Sequence, residues 1–306
     1  MGEFGRFLLL VVLPGVVLAS AVEAVVLARR ARAGKGERYD WGAMGVSLAD
    51  LIGRVAMQIA LPATLAAPLV LWAREHRLGD IAIDGPLSVL ALFLGQELCY
   101  YAYHRAAHRV RWFWCNHAVH HSPNQLNLSA AYRIGMLGRL TGSALFYLPL
   151  VWLGFPPLLV FGMLQLNLLY QFWLHATWIP KLGWLEGILN TPSAHRVHHA
   201  ANVEYLDANY GGVLMVFDRL FGTYVPERDD LQCRYGLVTP LRSYNPLRVE
   251  FHQWLALTAD LARSRSLRAV LGHLFGPPGW RPDGPGHTTA ALRAAARITP
   301  GRPAAR

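Results

Sequence analysis

Apolar runs separated by basic turns dominate the first part of the chain. Residues 7–28 are apolar except for Glu23, and the run closes on Arg29, Arg30 and Arg32. A cleaved signal peptide carries its positive charge ahead of the apolar stretch, so charge behind the run predicts a retained anchor. Residues 56–72 form a second uncharged run, interrupted by Pro62 and Pro68, and residues 87–103 a third, with Gln96 and Glu97 inside it. Prolines are tolerated in membrane helices when neighbours satisfy the freed carbonyls. Residues 140–155 and 158–174 make a pair split by Pro156 and Pro157. At about 1.5 Å per residue the first of these reaches only about 24 Å. That is short of a hydrocarbon core of about 30 Å and predicts a shallow hairpin. From 247 to 275 the pattern changes: Phe251, Trp254, Leu255, Leu261, Leu267 and Leu271 recur at helical intervals among Arg248, Arg263, Arg265 and Arg268. This suits amphipathic helices on a membrane surface, or on the protein's own core. The Pro/Gly-rich stretch 276–286 breaks that pattern, and residues 288–306 read as a basic, weakly ordered tail.

These runs predict an all-α membrane protein with about four to five transmembrane or hairpin helices and a helical cap on the cytoplasmic side. Four segments follow: anchor helices over 1–85, a catalytic stretch over 86–226, amphipathic helices over 227–286 and the basic tail over 287–306. Arg29, Arg30, Arg32, Lys35 and Arg38 place the end of the first span in the cytoplasm. Two further crossings return the chain there near His104, beside Arg105, Arg109 and Arg111, and the hairpin returns it again near His175. The two histidine-rich segments thereby fall on one face of the membrane.

Composition agrees. Hydrophobic residues make up 53% of the 306 positions and charged residues only 16%, where a water-soluble domain carries about a quarter. The net charge of +10 sits beside apolar runs and in the tail, not in an aromatic-interleaved stripe, which argues against nucleic acid as a partner. Three cysteines, Cys99, Cys115 and Cys233, have no paired spacing and offer neither a disulfide framework nor a thiolate metal site.

The chemistry lies in the histidines. Of 13, nine fall between 104 and 199: His104 and His108; His117, His120 and His121; His175; and His195, His198 and His199. On a helix, positions three and four apart share a face, so His104 with His108, His117 with His121 and His195 with His199 can each approach one ion together. His120 and His198 are offset from those faces by about 100°. Nine imidazoles near an apolar slab would leave many nitrogens to satisfy, which is costly without metal. Four ligands suffice for zinc, so eight or nine suit two ions. Nitrogen donors alone admit iron, zinc, copper or nickel.

Glu97 lies on the helical face of His104 and His108, where a carboxylate in an apolar span is a functional candidate or an interface residue turned to water. It could orient a histidine through its second nitrogen. Asn202 and Asp207 follow the last histidine group and either support the ligands or turn the chain. Asp218 and Arg219 read as a polar pair, and Gly211 with Gly212 as a place of close backbone approach. Trp152, Phe161, Tyr170 and Trp173 could line a slot open to the bilayer, or simply pack.

The run Gln96-Glu97 into Tyr100, Tyr101, His104, Arg105 and His108, then His117-Ala118-Val119-His120-His121-Ser122 and Asn127-Leu128-Ser129, resembles the fatty acid hydroxylase and sterol desaturase superfamily. The resemblance continues through Gln171-Phe172-Trp173-Leu174-His175, Asn190-Thr191-Pro192, His195-Arg196-Val197-His198-His199 and the block from Asn202 to Thr223. It covers roughly residues 88–226 and is nearest to bacterial sterol-desaturase-like and alkylglycerol monooxygenase-like members. It implies a non-haem di-iron centre whose ligands are drawn from these nine histidines, not all of which need bind at once, with Glu97 in support. It further implies a multi-pass enzyme, in a bacterial inner membrane with the site on the cytoplasmic face. Such an enzyme uses O2 as co-substrate and electrons from a separate donor, a ferredoxin or small haem protein with its reductase. The implied reaction is hydroxylation or desaturation of a bilayer lipid (sterol, fatty acyl or ether lipid) in lipid biosynthesis or modification. Glu97 stands where many relatives have Asp, and Ser129 where many have Thr. Two other classes fit the residues taken alone: a zinc-dependent membrane lipid hydrolase, and a non-catalytic haem- or metal-binding protein.

Overall fold

The computed structural model describes residues 6–61 and 66–297. Among them there is no strand, only isolated bridges. Twelve α-helices run in order: α1 (Leu13–Arg32), α2 (Trp41–Ala60), α3 (Ala67–Glu75), α4 (Pro86–Arg109), α5 (Arg111–His121), α6 (Leu148–Leu153), α7 (Pro157–Gln171), α8 (Pro192–His199), α9 (Val216–Leu220), α10 (Pro246–Arg263), α11 (Leu267–Phe275) and α12 (Thr289–Ala295).

Among the described residues, three stretches are long and apolar enough to cross a membrane: Leu10–Arg32, Trp41–Ala60 and Pro157–His175. The all-helical membrane architecture expected from the sequence is therefore present. The second apolar run, however, is not one span. α2 stops at Ala60 and α3 begins at Ala67; the break at Pro62 lies outside the described residues. Pro68 opens α3, where the first turn has no use for the missing N–H. The run at 140–155 stays short: 3₁₀ turns at Gly138–Leu140 and Ser143–Tyr147 precede α6. It does not extend to a full crossing, but its partner over Pro157–His175 is long and apolar enough to cross, so only the first limb of the expected hairpin is shallow. α4 has the length of a span, but its buried face carries Gln96, Glu97, His104 and His108. Its outer face is apolar and exposed at Leu87, Leu90, Leu94 and Leu98.

Local sequence sets the helix starts. Asp40 accepts from the Ala43 amide ahead of α2, and Thr191 from the Ala194 amide ahead of α8, with Pro192 in the first turn. Asn245, Ser266 and Thr288 do the same for α10, α11 and α12. Each side chain satisfies an amide that the first helical turn leaves free. The tail expected to be weakly ordered instead starts with α12. There Arg293 donates to the carbonyls of Val203 and Leu206, a tether only the folded chain can supply. Residues 298–306 lie outside the described residues. An apolar core joins α4, α6 and α7 through Leu92, Cys99, Leu150, Val151, Phe155 and Val160. It holds the end of α4 where the histidines begin.

Candidate metal centre

All nine histidines are buried, and they divide into two groups. Ligand-capable nitrogens of His104, His108, His117, His121 and His198 lie within 4.8 Å of one another, as do those of His120, His175, His195 and His199. The groups cut across the sequence motifs. α5 sends His117 and His121 to the first and His120 to the second; α8 sends His195 and His199 to the second and His198 to the first.

Backbone carbonyls orient the rings. Nδ1 of His104 donates to the Tyr210 carbonyl (2.9 Å), that of His120 to Arg133 (2.9 Å), that of His175 to Gln171 (3.0 Å) and that of His198 to Ala208 (3.0 Å). A carbonyl only accepts, so these nitrogens carry the proton and each Nε2 is a bare lone pair. His195 Nδ1 is buried without such a partner. Asp207 Oδ1 stands 3.7 Å from His108 Nδ1.

The donor set fits metal ions. His117 Nε2 lies 3.1 Å from the Nε2 atoms of His104, His108 and His121, yet one N–H can serve only one of three neighbours. In the second group His195 Nε2 lies 3.2 Å from His175 and 3.1 Å from His199. Lone pairs packed this closely repel unless a cation lies among them. Burial drives the rings of His117, His121, His195, His198 and His199 well below the ordinary imidazole range, and His120 down to about 4. They are neutral at pH 7, the form that binds metal.

The three polar residues expected to assist differ in placement. Glu97 is buried, but its bonds run to the amides of Val213 (2.8 Å) and Leu214 (2.7 Å) and to the Asn167 side chain, not to a histidine. It ties α4 to α7 and to the loop after Tyr210. Asn202 accepts from the Arg234 amide and donates to the Gln232 carbonyl, so its amide fastens the backbone at 232–234 and not a histidine ring. Asp207 alone faces the site, with Arg109 at 3.3 Å on its other oxygen. Burial works to raise its carboxyl, but His108 and Arg109 hold it below the usual range. Asp218 does not pair with Arg219: it accepts from the amides of Tyr210 and Gly211 and from Thr223, while Arg219 reaches the Gly187 carbonyl. A Cβ at Gly212 would collide with Asn167, which explains the close backbone approach there.

Asn167 and Arg133, which the sequence did not single out, complete the support together with Gln171, Tyr100 and Ser122 of the motif blocks. Asn167 and Gln171 on α7 continue the Glu97 network to Tyr100. The buried Arg133 spreads its guanidinium over the Ala43 carbonyl, Ser47 and Ser122, and so fixes the carbonyl that holds His120. A polar residue in a helix face at 167 and 171 was the available signal. For backbone carbonyls there was none.

A cavity of about 970 Å³ opens over the rings, walled by His108, His121, His198 and His199 and closed by residues of α10, α11 and the 277–283 loop. No residue of 140–174 lines it, so the proposed aromatic slot is not part of this cavity.

The comparison with known families agrees with this geometry: the fatty acid hydroxylase family model matches residues 89–223. Residues 89–223 form a fatty acid hydroxylase domain. The chain is 40% identical to human alkylglycerol monooxygenase over 221 residues, which are 72% of this chain and 48% of that protein. It is 37% identical to the alkylglycerol monooxygenase of Danio rerio over 237 residues, 78% of this chain and 52% of that protein. It is 32% identical to ornithine lipid hydroxylase OlsE of Rhizobium tropici over 183 residues, 59% of this chain and 53% of that protein. The chain thus spans about half the length of these relatives. No solved structure matches it.

Proposed function

We propose that this chain is a membrane lipid monooxygenase with a non-haem iron in each histidine group. The first ion would be held by His104, His108, His117, His121 and His198, and the second by His120, His175, His195 and His199. Bound there, the pair would supply the chemistry that puts one atom of O2 into a lipid C–H bond. The other atom leaves as water, with two electrons and two protons taken up from outside. A separate protein donor fits the electron supply.

The interleaving of the two groups carries this reading. Because α5 and α8 each serve both groups, the two ions would sit side by side on a shared frame, the arrangement a two-metal oxidation needs. Nine imidazole nitrogens exceed what one zinc ion takes, which weighs against a hydrolase.

The chain's own residues set the conditions. Tyr210, Arg133, Gln171 and Ala208 hold proton positions through their carbonyls, leaving each Nε2 free to bind. Asp207 stands behind His108 and steadies its ring. Near-complete burial of the rings excludes bulk water, and the cavity admits one segment of substrate beside them. The names of the relatives point to ether lipids and ornithine lipids as substrates, and the amphipathic cap to a leaflet face where such lipids enter.

The test is purified protein in nanodiscs, supplied with iron, an alkylglycerol or an ornithine lipid, a reductant and isotopically labelled O2. One labelled oxygen atom in the product, only with reductant present, supports the proposal. Turnover without oxygen, or full activity in a zinc-loaded protein, overturns it.

A further inference from the structure

An apolar surface outside the candidate spans lies between the ends of α4 and α7. Trp184 and Leu220 are 79% and 69% exposed, and Ile188, Val216 and Phe221 about half exposed. These side chains come from two segments that are stitched together. The Met215 amide donates to the Ile188 carbonyl (2.9 Å), and the Asn190 amide to the Val213 carbonyl (2.8 Å).

The surface is anchored to both helices. Phe221 stacks on Tyr101 of α4 with centroids 5.3 Å apart, one turn beyond Leu98. Leu87, Leu90, Leu94 and Leu98 form an exposed stripe on that same helix. From the other side Tyr170, at the end of α7, donates to the Asn190 carbonyl (2.8 Å). The exposed leucines of α7 itself include Leu158, Leu166 and Leu169. The patch therefore continues the exposed apolar faces of α4 and of the candidate span Pro157–His175. Arg105 and Arg219, both exposed, stand at its edge.

We propose that the patch of Trp184, Ile188, Val216, Leu220 and Phe221 is embedded in the bilayer at headgroup depth, with Arg105 and Arg219 meeting lipid phosphates. Soluble surfaces rarely leave so much large apolar area uncovered. Tryptophan and arginine beside an apolar face are the residues that favour the interfacial layer. Continuity with the stripe on α4 selects lipid over a protein partner. The anchor bears on the site because Asp218, in the same short helix, grips the Tyr210 amide, and Tyr210 holds His104.

The test adds one cysteine at a time, Trp184→Cys or Leu220→Cys, to the full chain carrying Cys233→Ala, with Asp229→Cys, whose side chain is 93% exposed, as reference. Each is labelled with a polarity-sensitive fluorophore in nanodiscs of phosphatidylcholine and phosphatidylglycerol. Labels at 184 and 220 should shift to the blue and lose intensity with lipids brominated near the headgroup, while the label at 229 should do neither. Water-like emission at 184 and 220 overturns the proposal. So does a blue shift that brominated lipid leaves unquenched, because a protein would then cover the patch. None of these readings depends on turnover, so this proposal and the monooxygenase reading can fail separately.

Discussion

His120 and His121 are consecutive in the chain, yet their rings belong to different nitrogen groups: His121 to that of His104 and His108, His120 to that of His175 and His199. A helix turns about 100° per residue, so neighbouring side chains point in different directions. A short helix lying between two ions can serve both. His198 and His199 repeat the arrangement in reverse on α8.

This partition is testable by metal content. His198→Ala should resemble His104→Ala, and His120→Ala should resemble His175→Ala, in iron per chain and in the Mössbauer signature of the remaining ion. Pairing by sequence motif instead, with His198 behaving like His195, would contradict the arrangement.

Asp207 should act through His108. Asp207→Asn keeps the shape and removes the charge, and removal of such a partner costs about 10–100-fold in metal affinity or activity. Competition with a graded chelator measures it. Unchanged iron affinity would reduce Asp207 to a loop residue, although its φ of +55° is costly for a non-glycine and persists only where the surroundings impose it.

Glu97 should matter for the fold more than for the reaction. Glu97→Ala leaves the amides of Val213 and Leu214 without their acceptor, at about 1–3 kcal/mol for each buried group left unpaired. A lower melting temperature, with iron lost on heating sooner than in the parent, is expected; Glu97→Gln should recover part of it. An undiminished melting temperature with activity abolished would return Glu97 to a direct chemical role.

Glu250 predicts a pH effect. Burial, and then the charge of nearby Asp50, push its carboxyl up to about 7, and one oxygen accepts from the Met136 amide at 2.9 Å. An unfolded glutamate titrates near 4.3. Between that value and about 7 the folded state holds a proton the unfolded state has lost. Stability from this group therefore falls as pH rises through that window. Glu250→Gln should be close to the parent near pH 5 and more heat-stable at pH 8. A gap that stays constant over this range would remove Glu250 as its source.

Much of the architecture was legible because it depends on local periodicity. The first apolar run became α1, the amphipathic pattern after 246 became α10 and α11, and Pro156–Pro157 marked the start of α7. The second run misled because hydropathy counts apolar residues without registering where a helix stops, and α2 ends at Ala60. Glu97 was recognised as out of place in an apolar helix, but its partners lie about 70 and 116 residues away and no spacing rule reaches that far.

The sequence by itself determined that nine imidazoles would gather at one end of a membrane-anchored helical frame, since i, i+3 and i+4 spacing puts neighbouring histidines on one side of a helix. Only the tertiary structure decided which ring joins which group, which carbonyl holds each Nδ1 proton, and that Asp207, not Glu97 or Asn202, stands beside a ligand. Those choices depend on how α4, α5 and α8 meet and on where the loop from 202 to 214 crosses them. Contacts of that kind are made through space between distant segments, and local propensity carries no record of them.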